Sequence, residues 1–401
     1  MDSQRSDHGF DLDSASTSQP IIWTLLTQAP GDNGQCLALA EALDHPTEFR
    51  RLDWSVVDVA EDSAILRELL ADTPEAEAWR DALDLCAPWP DLVICCGRRS
   101  DKVAFWIKRQ SGGHTKIVSI GRARLSVALY DLLIAPPEFA LPERANVVHI
   151  PLPMARQQER KPDAAASRAN VPVPKPWFAI LLGGEVKQFA SSERVLVEAA
   201  RRAQAAAHRH GGSVVISTSR RTPRTLLAAV EGVLDRPYIY RWSAAGTAEN
   251  PYQTLLLESA ALFVTADSVS MVLDGCGSGT PTYVIEYPDR LDLTARLRRD
   301  LFRYTRKVIT QLRNWGFAKA SDALDDAQEW LHTRKILRYP RDLRRFHASV
   351  YKMGLAHPVS EFDPEVLPEP RRPGTDLTEV SGIRAVAARC LALVRETVAV
   401  Q

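Results

Sequence analysis

What this 401-residue chain lacks removes several classes of function at once. Lys plus Arg and Asp plus Glu each number 50, so no net positive charge is left for a phosphate backbone, and a general nucleic-acid binder is disfavoured. No apolar run reaches the roughly 20 residues that a membrane-crossing helix needs. The six cysteines include no CxxC pair, and Cys95 and Cys96 lie side by side in an apolar run. That is a pattern of buried, reduced thiols and predicts a cytoplasmic chain. The nine histidines are scattered, and His208 and His210 have no carboxylate or thiol companion nearby, so no metal is expected. There is no GxGxxG after the first strand and no GxxxxGK[ST], which disfavours a nicotinamide-dinucleotide fold and a P-loop. There is likewise no GxSxG elbow, no DxD-like acidic pair at a strand end to hold a divalent metal, and no repeat of solenoid period.

What is present is an alternation of short apolar runs with helical periods, interrupted once. A chain this long exceeds one average core, so two domains are expected. Residues 1–20 are polar and Ser/Asp-rich and predict a disordered lead-in. Strand-like runs follow at Ile21–Thr27, near Phe49–Trp54, and at Asp91–Cys96, Thr115–Ile120, Asp131–Ala135 and Ala145–Ile150. Helical periods lie between them, including an acidic one over about Val59–Leu85. Residues 154–175, rich in Pro, Ala and charge, read as a linker. The alternation then restarts at Trp177 and runs to Tyr287. Strands alternating with helices call for parallel sheets covered on both faces, here two doubly wound, Rossmann-like domains over 21–153 and 176–300. Residues 301–401 read as a helical extension that packs back on the first domain, ending in one helix over Leu377–Val400.

Ligands of such sheets bind beyond the carboxyl ends of the strands, so the loops there are the candidates. In the second domain Gly183-Gly184 would let a backbone approach a ligand closely. Thr218-Ser219-Arg220-Arg221, with hydroxyls beside paired guanidiniums, suits a diphosphate, or else is plain surface charge. Thr265, Asp267, Ser268 and Ser270 surround the start of a helix, whose free N–H groups and dipole favour a phosphate. Asp274 lies seven residues beyond Asp267, two turns along, where it can accept from a ribose diol. In the first domain Asp32, Asn33 and Gln35 cluster after the first strand, and Gly97-Arg98 follows another. Asp32 or Asn33 is either the cap of the first helix or, for Asp32, a general base on an acceptor hydroxyl. The basic, aromatic-rich stretch over 290–313 is either a solvated face or a contact with anionic lipid.

Several strings also resemble a known family: Gly31-Asp32-Asn33-Gly34-Gln35-Cys36, Gly97-Arg98-Arg99-Ser100, Leu182-Gly183-Gly184, Ser219-Arg220-Arg221-Thr222-Pro223, Asn250-Pro251-Tyr252 and Thr265-Ala266-Asp267-Ser268-Val269-Ser270-Met271. They resemble the "elongated mitochondria" fission-protein family, whose bacterial members are grouped with glycosyltransferases. The resemblance spans about Ile21–Tyr287 and implies a two-domain GT-B-like fold with a cleft between the domains. The second half is also similar to the nucleotide-sugar domain of the peptidoglycan lipid-intermediate transferase, with Asp274 where that family has a ribose-binding acid, more usually Glu. Together these imply a metal-independent sugar transferase without a cofactor. Its donor would be a nucleotide-diphosphate sugar and its acceptor a lipid-linked or polysaccharide component of the cell envelope. Two alternatives share the fold: a non-catalytic scaffold of the fission type, and a nucleotide-sugar epimerase.

Overall fold

The computed structural model describes residues 19–53, 71, 73–155, 171–243, 249–290, 293–334, 336, 339–370 and 376–398. The lead-in up to residue 18, most of the linker and the first part of the acidic helical stretch lie outside the described residues.

The first domain is built on β1 (Ile22–Leu26), β2 (Glu48–Arg51), β3 (Leu92–Cys96), β4 (Lys116–Ile120), β5 (Leu132–Ala135) and β6 (Val147–His149). They form one parallel sheet in the order β2-β1-β3-β4-β5-β6. Every residue of β1, β3 and β5 is buried, as a parallel sheet covered on both faces requires. The two faces sort by parity. Trp23, Leu25, Val93 and Cys95 meet α3 (Arg98–Gln110) through Val103 and Ile107. Ile22, Leu26, Leu92 and Ile94 meet α1 (Pro30–Ala42) through Cys36 and Leu39. Of the acidic helical stretch, Pro74–Ala82 forms α2, capped by Thr73.

The second sheet joins β7 (Trp177–Leu182), β8 (Ser213–Thr218), β9 (Tyr238–Tyr240), β10 (Ala261–Thr265), β11 (Thr282–Ile285) and β12 (His357–Pro358) in the order β12-β11-β10-β7-β8-β9, again parallel. Its helices are α4 (Glu193–His210), α5 (Arg224–Glu231), α6 (Tyr252–Glu258) and α7 (Val269–Ser278). Five alanines line the buried face of α4 and let it lie close to the strands. The two doubly wound α/β domains implied by the resemblance are therefore present.

The chain after β11 departs from the sequence expectation. It forms α8 (Leu293–Asn314), α9 (Ala318–Thr333), α10 (Leu343–Lys352), β12, α11 (Leu377–Ser381) and α12 (Ile383–Val398). Phe302 of α8 and Tyr339 enter the first domain's core. Leu343, Phe346 and Val350 of α10, with Phe362, enter the second. The second core thus draws on residues beyond 300, because Phe362 packs edge-on against Phe263, at 4.8 Å, and Tyr283, at 5.0 Å. Ile383, Val386 and Cys390 of α12 then return to the first domain beside α1. The single C-terminal helix expected from Leu377 is two helices, because Gly382 turns left-handed (φ 70°) between them.

One short segment ties the carboxyl ends of the two sheets together. Asp342 N–H donates to the Glu138 carbonyl, beyond β5, at 2.8 Å. The Asp342 carboxylate accepts from Gln188 Nε2, beyond β7, at 3.0 Å, and Leu343 N–H donates to Gln188 Oε1 at 2.8 Å. All three polar side chains are buried. Arg341 bridges to Phe139 through the backbone and lies over its ring.

Candidate functional site

Strand order locates the crevices. In the first sheet the chain leaves β1 towards β2 on one side and resumes at β3 on the other. In the second, β7 has β8 on one side and β10 on the other. Loops diverge at such switch points and leave a crevice at the strand ends. The residues singled out from the sequence, Thr218 excepted, lie on the loops and helix starts at these two places.

At the second switch point, β7 ends in Gly183-Gly184 and β10 in Thr265-Ala266-Asp267. Gly183 N–H donates to Thr265 Oγ1 at 2.8 Å, and Gly184 N–H donates to Asp267 Oδ2 at 2.7 Å. Both glycine N–H groups are therefore turned inward, and the glycines are also needed for close packing. A Cβ on Gly183 would lie 2.3 Å from Asp267 Oδ2, and one on Gly184 2.6 Å from the Arg221 carbonyl oxygen. The turn after β8 closes over the same spot. Thr222 Oγ1 donates towards the Gly183 carbonyl at 2.7 Å, with the Ser219 hydroxyl 3.2 Å from that oxygen. The Arg221 guanidinium reaches Asp267 Oδ2 at 3.4 Å while staying half exposed.

Asp267 is the keystone of this turn. Its side chain is 1% exposed, and Oδ1 takes no hydrogen bond among the described residues. Burial therefore pushes its carboxyl above the ordinary range, against the pull of the Gly184 N–H, the Thr265 hydroxyl and the Arg221 charge. Directly after it, Ser268 caps α7 by accepting from Met271 N–H at 3.4 Å. The first-turn N–H groups of Val269 and Ser270 are left without partners inside the helix, two and three residues beyond the carboxylate that Arg221 reaches, and Arg220 is exposed on the same turn as Arg221. The Ser270 side chain is exposed. Further along α7, Asp274 accepts from the Tyr252 hydroxyl at 2.7 Å. Burial raises the Asp274 carboxyl from its usual value and the Tyr252 bond opposes it. Thr218 stands apart from this group: its hydroxyl bonds the Tyr240 carbonyl and Trp242 N–H and braces β8 against the next segment.

At the first switch point Asp32 lies against Gly97, where a Cβ would be 2.9 Å from Asp32 Oδ2. Gly97 has φ 101°, a conformation that itself calls for glycine. Asp32 does not cap α1. Pro30 opens that helix, Ala29 stands at the cap position without a side-chain bond, and Asp32 is in the first turn. Asn33 does not cap it either: its amide bonds Thr27 N–H and the Thr27 carbonyl and fixes the exit from β1. Half-burial raises the Asp32 carboxyl; a bond from Cys96 and the charges of Arg341 and Arg124 act the other way. Gln35 has a buried Oε1 with no partner among the described residues, and Arg98, at the start of α3, is exposed. Among the described residues no group of three or more His, Cys, Asp or Glu is placed to hold a metal ion.

Beneath this crevice, buried Asp101 accepts from Ser119 Oγ at 2.7 Å, Tyr130 Oη at 3.1 Å and Cys95 Sγ at 3.4 Å. Burial still raises its carboxyl to about 6. The folded protein then holds this proton more tightly than the unfolded chain does. The group's contribution to stability should fall as pH rises from about 4 to about 6, by roughly 3 kcal/mol. Denaturant titrations between pH 4 and 7 should show this loss in wild type relative to Asp101→Asn. Parallel curves would contradict it.

Tyr252, Thr222, Arg124 and Arg341 join these crevices without having been singled out as site residues. Tyr252 and Thr222 sit in strings already noted, Asn-Pro-Tyr and Ser-Arg-Arg-Thr-Pro. Arg341 reaches Asp32 only through the fold.

The family described as mitochondrial fission ELM1 matches residues 30–333. An uncharacterized protein of Rickettsia prowazekii is 23% identical over 341 residues, covering 75% of this chain and 95% of that protein. The mitochondrial fission protein ELM1 of Arabidopsis thaliana is 27% identical over 225 residues, covering 49% of this chain and 51% of that protein. Among solved structures, S. aureus MnaA with UDP is similar at a TM-score of 0.40 and 11% identity, over 84% of this chain and 97% of that one.

Proposed function

Because the chain belongs to the mitochondrial fission ELM1 family and gathers polar groups at both switch points, we propose that it is a metal-independent glycosyltransferase. It moves a sugar from a nucleotide-diphosphate donor to a lipid-linked or polysaccharide acceptor of the cell envelope. The observation that carries this reading is the second crevice: a capped helix start with the Arg221 guanidinium on the acid just before it, and an acid–tyrosine pair two turns further on. Arg220, Arg221 and the α7 N-terminus meet the diphosphate and stabilise its charge as it leaves. Asp274, held by Tyr252, accepts from the ribose diol. Asp32 takes the proton of the acceptor hydroxyl as that oxygen bonds the sugar carbon and the sugar–phosphate bond breaks. Six free cysteines suit action in a reducing cytoplasm.

The test is release of nucleoside diphosphate from a panel of nucleotide sugars, with and without membrane-lipid extract as acceptor. Acceptor-stimulated release is expected for one donor. In Asp274→Ala the donor KM should rise roughly tenfold to hundredfold, the loss of charged hydrogen bonds to one diol. Isomerised sugar without release would make the protein an epimerase. Neither product from folded protein would support the non-catalytic scaffold reading.

A further inference from the structure

Helix α8 has two apolar faces, and the fold uses only one. Phe302 and Ile309 are fully buried. On the same side Arg299 pairs with Asp289 at 2.8 Å, and Arg306 and Arg313 pair with the buried Asp325. The opposite side carries Leu293, Leu297, Leu301 and Tyr304, which are 73, 60, 62 and 68% exposed. Spacings of four, four and three residues put them on one stripe, directly opposite the buried face. Single exposed leucines need no explanation, whereas an aligned row on one helix does. Trp315 and Phe317, just past the end of α8, are 68 and 58% exposed and extend the apolar surface.

Charge runs alongside the stripe. Helix α8 carries seven basic residues, Arg296, Arg298, Arg299, Arg303, Arg306, Lys307 and Arg313, against the single acid Asp300. Among the described residues Arg298 and Lys307 make no ion pair. A cavity of about 310 Å³ opens beside the helix, with Arg306, Lys307 and Thr310 on one wall and Arg345 of α10 on another. Arg345 also makes no ion pair among the described residues. Burial, and then the facing charges of Arg306 and Arg303, lower its guanidinium from the usual value, while Asp342 and Glu138 oppose them. Its site is therefore one that an anion would relieve. Glu143, on the far wall, faces His149 at 3.9 Å.

We propose that α8 docks lengthwise on an anionic lipid bilayer, its Leu293–Tyr304 stripe entering the headgroup layer and a lipid phosphate entering the cavity at Lys307 and Arg345. The pattern is that of a helix lying in the interface: a narrow apolar stripe, cations along its edge and aromatic rings at its end. No helix among the described residues is long and apolar enough to cross a membrane, so the contact is with one leaflet. The inference stands apart from the proposed reaction, and it adds a surface on which a lipid-borne substrate would be met.

The experiment is co-sedimentation of the full chain with vesicles of phosphatidylglycerol and phosphatidylcholine in equal parts, and with phosphatidylcholine alone. Wild type should sediment with the anionic vesicles at low salt and be released by high salt. The double variant Leu297→Asp, Leu301→Asp should stay in solution. Lys307→Glu with Arg345→Glu should lower partitioning by roughly fivefold or more per site. Leu297, Leu301 and Lys307 are exposed and Arg345 lies on the open cavity wall, outside both hydrophobic cores, so thermal melts and nucleoside-diphosphate affinity should match wild type, which separates this test from that of the donor site. Three results would overturn the proposal. The first is no sedimentation of wild type, and the second is equal sedimentation of the variants. The third is a halved mass in light scattering for the leucine variant, which would assign the stripe to a second copy of the chain.

Discussion

Gly184→Ala is expected to lower affinity for a nucleoside diphosphate by roughly tenfold to hundredfold, with Gly183→Ala close behind. The argument is steric. A methyl group at position 184 would lie 2.5 Å from Arg221 Cβ and 2.6 Å from the Arg221 carbonyl oxygen, so backbone as well as side chain must retreat. Moving the Ser219–Thr222 turn carries Arg221 away from Asp267 and from the start of α7. A methyl group at 183 would meet both Asp267 carboxylate oxygens within 2.4 Å and break the bond that this acid accepts from Gly184. Overpacking of this kind costs about 1–3 kcal/mol, so a lower melting temperature should accompany the weaker binding. Gly34→Ala, where nothing lies within 4 Å of the new methyl, is the matched control and should bind as wild type does. Calorimetric titration of the three variants checks the order of effects. Wild-type affinity in Gly184→Ala would remove this turn from the donor site.

Asp32→Asn should lower turnover by roughly two to four orders of magnitude while leaving donor affinity unchanged. The amide keeps the shape that packs against Gly97 and removes only the capacity to take a proton. A pH profile distinguishes a base from a structural residue. Burial raises the Asp32 carboxyl and the Arg341 charge holds it down, so activity should rise with pH through this group's titration. In Arg341→Ala the rise should move to higher pH, because the opposing charge is gone. An unmoved profile, or an Asp32→Asn variant with full turnover, would leave Asp32 as a wall of the crevice and nothing more.

The strands were legible because a parallel sheet buried on both faces must be written as unbroken apolar runs, as in Leu92–Cys96 and Ala261–Thr265. The loops were legible as sites because Gly-Gly, Arg-Arg and Asp-Ser fall directly after such runs. What those loops do was harder to read. Gly183 and Gly184 read as a place for close approach of backbone to a ligand, and no local pattern shows that Thr265 and Asp267, more than 80 residues on, take both N–H groups. Pro30 opens α1 with Ala29 at the cap position, three residues before Asp32 and four before Asn33, which leaves Asp32 for the crevice. Strand β12 is only two residues long and carries no period of its own. Arg341 comes to Asp32, and Phe362 to the second core, through pairings that no local pattern encodes. Helix α8 shows the same limit: its basic residues were plain in the sequence. Which of its two apolar faces would be buried was decided by packing against the first domain.

The central claim is that the second switch point is a nucleoside-diphosphate site. It is tested most directly by calorimetric titration of the full chain with UDP, GDP, CDP, ADP and dTDP, repeated on Asp274→Ala. Micromolar binding of one of the five, weakened at least tenfold in the variant, is the result expected from an acid held by Tyr252 against a ribose diol. Absence of binding to all five by folded protein, or equal binding by Asp274→Ala, would contradict it.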